Sequence, residues 1–124
     1  MANGEKVVVN LATGLAEDAE RVTVAFLVAG AALDAGKQVG MWLTRDAVRL
    51  ALPGEAVGEA CDGCPPLERL FEQFREKRGE LMVCPICFNA RKLEEAQLVE
   101  GSRLVGATPL WEWIGAEAAT VFSY

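Results

Sequence analysis

The run Leu81-Met82-Val83-Cys84-Pro85-Ile86-Cys87-Phe88-Asn89-Ala90-Arg91 constrains this chain more than any other stretch. It begins as a short apolar segment of strand type and breaks at Cys84-Pro85. It resumes as Phe88-Asn89-Ala90-Arg91-Lys92-Leu93, a sequence able to open a helix. Pro85 suits a first helical turn, where the missing N–H has no partner to lose. A buried strand that hands a thiol to a helix start is a β-to-α junction, the repeating unit of α/β folds. The helix mouth, with its free N–H groups and positive dipole end, favours an anion, and a thiolate is one. Two thiols in Cys-x-x-Cys spacing can close a disulfide, pass a sulfur between them, or grip a metal.

The flanking segments repeat the strand-then-helix alternation. Val7-Val8-Val9 with Asn10-Leu11 reads as a buried strand, closed by the turn Ala12-Thr13-Gly14. A helix is expected from Glu17 to Ala35, with Glu17, Asp18 and Glu20 in its first turns and Gly36 beyond its end. Its middle, Val22 to Gly30, is apolar nearly all round, which predicts burial against the sheet and against a neighbouring helix or subunit. Gln38 to Leu43 is a second strand, and Thr44 caps a short helix, Arg45 to Leu52, stopped by Pro53-Gly54. Glu55 to Cys64 is loop. Leu67, Leu70, Phe71 and Phe74 then mark an amphipathic helix that Gly79 ends. Strand three is Glu80 to Cys84, strand four Ser102 to Gly106, and strand five Ala119 to Tyr124. Thr108-Pro109 starts a short helix from Leu110 to Gly115. The whole reads as one domain, 1–124, a three-layer α/β/α sandwich on a mostly parallel five-stranded sheet.

Ligands of such sheets gather at the carboxyl ends of the strands. Cys84 and Cys87 follow strand three at that edge, and Cys61 and Cys64 precede the helix that feeds it. All four thiols are therefore expected on one rim, with Asn10, Thr13 and Gly14 after strand one. Trp42, near the end of strand two, is expected to face the same site, while Trp111 and Trp113 are expected in core and interface. Asp62 reads as a solvated loop acid.

Composition narrows the chemistry. A net charge of −6 lacks the clustered Lys and Arg of a nucleic-acid footprint, and no basic amphipathic stretch addresses a membrane. The start, Met1 to Lys6, has no signal-peptide pattern, and the longest near-apolar run, Val22 to Leu33, is too short to span a bilayer. A cytoplasmic address follows, and there four cysteines point to metal or sulfur chemistry rather than structural disulfides. The chain holds no histidine, which removes Cys-His and Ser-His catalysis and every imidazole metal site.

Three readings of the thiols stay open. Cys84 is a nucleophile or sulfur acceptor if it is exposed and ionised; the plain alternative is an inert core cysteine. Cys61-x-x-Cys64, nineteen residues and Cys84-x-x-Cys87 fall within the spacing of a four-thiolate zinc site. Against zinc, those nineteen residues hold a full helix and a strand, and a domain this large folds without a metal. The two pairs are also able to exchange a disulfide. No GxGxxG or P-loop occurs, so no cofactor is expected apart from that alternative zinc.

From Val83 to Arg91, with the Leu98 segment, the fourth strand and the ending Ala119 to Tyr124, the chain resembles the DsrE/DsrF-like family of small sulfur-relay proteins. The resemblance covers essentially the whole chain and implies a parallel α/β fold and assembly into trimers or hexamers. It also implies a cysteine that accepts sulfur as a persulfide from one protein and delivers it to another. That cysteine falls on Cys84 and the family's arginine on Arg91, with Cys87 as the resolving or accepting thiol. Such a carrier acts as a sulfurtransferase only together with its partners. Two features depart from the pattern: Lys92 stands where many members have glycine, and the pair Cys61 and Cys64 is an addition.

Overall fold

A computed structural model describes residues 5–57 and 62–124. Five strands, β1 (Lys6–Leu11), β2 (Gln38–Leu43), β3 (Glu80–Val83), β4 (Ser102–Leu104) and β5 (Thr120–Ser123), form one sheet in the order β4-β3-β2-β1-β5. Every pairing is parallel. Among the described residues four α-helices alternate with them: α1 (Ala19–Asp34), α2 (Leu67–Glu76), α3 (Pro85–Ala90) and α4 (Ala107–Ile114). Among the described residues no helix is long and apolar enough to cross a membrane.

Strand order decides which face each helix covers. The chain steps from β1 through β2 and β3 to β4 in one direction, so right-handed crossovers put α1, α2 and α3 on one face. The step from β4 to β5 runs back across the sheet, and the same handedness puts α4 on the other. The packing agrees. Val7, Val9 and Leu11 of β1 share a core with Phe26 of α1, Phe71 and Phe74 of α2, and Phe88 of α3. Phe26 meets Phe71 at 5.7 Å and Phe74 edge-on at 5.8 Å, which locks α1 to α2.

The second face is covered by less. Trp113 of α4 lies over β2 at Gly40, where a Cβ would stand 3.1 Å from the indole and 2.4 Å from the Met82 methyl. The Lys6 ammonium sits over the same indole and bonds the Trp113 carbonyl, while the indole N–H donates to Glu80 at 2.7 Å. Trp111 stands 70% exposed and all four residues of β5 are exposed, so Trp111 fills no core within this chain.

The α1 helix is shorter than its sequence pattern. It begins at Ala19 instead of Glu17, capped by Asp18, which accepts from the Arg21 N–H at 3.0 Å, and it ends at Asp34. Val24 and Leu27 remain exposed on its outer flank, so its apolar middle is not sealed on all sides within the chain. The segment Arg45–Ala51 is wound as a tight 3-10 helix rather than an α-helix.

Candidate functional site

Cys84 marks the point where β3 becomes α3. Its N–H still bonds the Leu43 carbonyl at 2.9 Å, extending the β2–β3 ladder by one residue, and its carbonyl already accepts from the Phe88 N–H at 3.0 Å. Cys84 is thus the N-cap of α3, with Pro85 at the first helical position. The helix starts at Pro85, as its proline suggests, and closes at Ala90 rather than running on to Leu93.

This junction also lies where the sheet changes direction. After β3 the chain turns to the first face, and after the neighbouring β4 it turns to the second. A crevice between carboxyl ends opens at such a switch point. Gly106, leading into α4, faces Pro85 there: a Cβ on it would stand 3.8 Å from the proline ring.

The two thiols of the motif look different ways. By strand alternation Cys84 follows Met82 onto the second face, in the row beyond Trp42. Trp42 is anchored there by its indole N–H on the Val105 carbonyl at 2.9 Å, near the thiol row as expected. Cys87 packs against the main core on the first face. Both are free thiols; Cys84 is 8% exposed and Cys87 half-buried. They hold the N-cap and N3 positions of α3, one turn of helix apart, and the Cys84 side chain makes no cap hydrogen bond. Ile86 between them projects to solvent, 79% exposed.

Arg91 caps the other end of α3. Its Nε donates to Asp46 Oδ1 at 3.0 Å and its Nη1 to the Cys87 carbonyl at 3.2 Å. The same Asp46 oxygen takes Arg49 Nε at 3.1 Å. The bond from Arg91, and after it the bond from Arg49, hold the Asp46 carboxyl below the usual carboxylate range. Lys92, just past the helix, adopts a left-handed φ of 56°, which explains why glycine suits this position.

The remaining expected groups divide. Cys61 lies outside the described residues. Cys64 is disulfide-bonded, and Asp62 is exposed in the loop before α2. Among the described residues no cluster of three or more Cys, Asp or Glu is placed to hold a metal. Asn10 reaches the carboxyl edge from β1, and its Oδ1 is buried with no hydrogen-bond partner among the described residues. Gly14 packs directly against Asp46. Sequence reasoning passed over Asp46; its one signal was its place just after β2 on this edge.

A parallel, open α/β sheet with a cysteine at its carboxyl-edge switch point defines the class. The DsrE/DsrF-like family model matches residues 6–122, and the chain belongs to that family. It is 31% identical over 103 residues to the uncharacterized protein MK0008 of Methanopyrus kandleri, covering 83% of this chain and 82% of that protein. Its fold is that of the YchN protein of E. coli, with a TM-score of 0.76 at 18% identity over 98% of this chain and 99% of that one. MTH1491 of Methanobacterium thermoautotrophicum, of unknown function, gives 0.71 at 11% identity over 94% and 98% of the two chains. BT1422 of Bacteroides thetaiotaomicron, also of unknown function, gives 0.69 at 13% over 97% and 95%.

Proposed function

We propose that the protein carries sulfur as a persulfide on Cys84 within a sulfur relay. The observation behind this reading is the placement of a free thiol as the N-cap of α3 at the switch point, with a second free thiol at N3. The Cys84 thiolate attacks the outer sulfur of a donor persulfide. A new S–S bond forms on Cys84, the donor S–S bond breaks, and the donor leaves as a thiolate. Transfer onward repeats the exchange: Cys87 or a partner thiolate takes the outer sulfur and Cys84 leaves as the thiolate. Arg91 steadies the thiol helix and keeps a positive charge at the rim.

Donor and acceptor in this reading are proteins. Exposed Ile86 beside the thiols offers an apolar contact to such a partner, and exposed Trp111, Val121 and Phe122 support assembly with further copies of the chain. Incubation with a persulfide donor, followed by intact-mass and peptide mass spectrometry, tests the carrier role. One dithiothreitol-removable sulfur is expected on Cys84 in the wild type and none in Cys84→Ser. Stoichiometric zinc with no added sulfur would instead favour a structural metal site, and reversible oxidation of Cys84 with Cys87 alone would favour a redox protein.

A further inference from the structure

Three successive connections on the carboxyl edge meet at one side chain, Asp46. It stands after β2 and packs on the loop after β1: a Cβ at Gly14 would lie 2.8 Å from its Oδ2 and 2.9 Å from its Cβ. Its Oδ1 takes Arg91 at 3.0 Å, and Arg91 in turn holds the carbonyl of Cys87 in the helix after β3. A glycine where any larger residue would collide, and a carboxylate oxygen shared by two guanidinium groups, make this contact tightly specified.

We propose that Asp46 is a positioning residue of the dithiol site, acting through Arg91; the proposal rests on the carrier reading above. The neighbouring charges are few. Glu17 accepts from the Gly14 N–H at 2.9 Å and faces Arg45 at 4.0 Å, and Arg49 shares Asp46. Three arginines therefore face two carboxylates. Arg91 lies one helical turn from Cys87, so its guanidinium reaches that thiol unless something holds it elsewhere. Asp46 holds it elsewhere, with Nε and Nη1 both occupied and Nη2 without a partner among the described residues. The carboxylate thus sets how much of the Arg91 charge the thiols feel.

The test is the pH profile of iodoacetamide labelling at Cys84 and Cys87, read by peptide mass spectrometry on the full chain, with melting temperature recorded alongside. In Asp46→Asn the released Arg91 should move the labelling midpoint to lower pH by about half a unit or more. Adding Arg91→Gln to that variant should cut the shift to less than half. A midpoint that does not move in Asp46→Asn overturns the proposal, and so does a shift of equal size with and without Arg91. Arg91→Gln alone is the second variant if Asp46→Asn fails to fold. It should raise the midpoint by less than about half a unit, because Asp46 already occupies that charge, and a larger rise would overturn the proposal. Labelling needs no bound sulfur, so a chain that shows these shifts but never takes up sulfur loses the carrier reading alone.

Discussion

At the amino edge of the sheet Lys6, Lys37, Lys77 and Arg78 line a hollow of about 490 Å³. At the carboxyl edge Cys84, Cys87, Asp46 and Arg91 gather around a strand-to-helix junction. The first set is the more conspicuous, with three of the four lysines of a chain whose net charge is −6. Yet helix ends account for it. Lys37 follows the last turn of α1, Lys77 and Arg78 follow α2, and Lys6 bonds the final carbonyls of α4. Each helix presents about half a negative charge there, and a cation beside it is the ordinary complement. No such rule calls for two free thiols, or for one carboxylate oxygen under two arginines. The size of a hollow and the density of charge therefore mislead in this fold, and the bonding that helix ends leave unexplained marks the site.

The largest expected effect tests whether the amino edge is purely structural. Gly79 enters β3 beneath Phe74, and a Cβ there would lie 2.4 Å from the buried ring. Gly79→Ala should cost about 3 kcal/mol in urea unfolding, as overpacking does. Sulfur uptake by the folded fraction should stay unchanged; a loss of uptake beyond the loss of folded protein would break the separation of the two edges. Lys6→Met removes the cap on α4 and should cost about 1 kcal/mol, again with uptake intact.

Two smaller effects sharpen the other end. Asp46 has a lowered folded pKa, so its contribution is full above its ordinary value of 3.8 and disappears as pH falls through the folded value. Acid unfolding of Asp46→Asn should therefore show a shallower loss of stability below that pH than the wild type does, measured by circular dichroism. Lys92→Gly relieves a left-handed residue and should raise stability by about 0.5 kcal/mol, the gain in backbone strain being partly offset by glycine's entropy.

How much of this was legible from sequence follows from distance along the chain. The Cys84-Pro85 break, the strand runs and the caps are local, and the β3–α3 junction could be read from eleven consecutive residues. The covering of the second face could not, because it depends on β5 pairing beside β1, more than a hundred residues away. Asp46 and Arg91 are separated by 45 positions and meet only because β2 and β3 are neighbours. Which of core and interface Trp111 serves was hidden for the same reason: an apolar short helix looks alike whether it lies under a layer or forms the outermost one, and within this chain Trp111 is not core.

Mass spectrometry of the sulfur-loaded chain tests the central claim most directly. Wild type and Cys87→Ser should each gain one sulfur, +32 Da by its chemistry, on the peptide carrying Cys84, and Cys84→Ser should gain none. Equal uptake by Cys84→Ser, or none by the folded wild type in the presence of a competent donor, would contradict it.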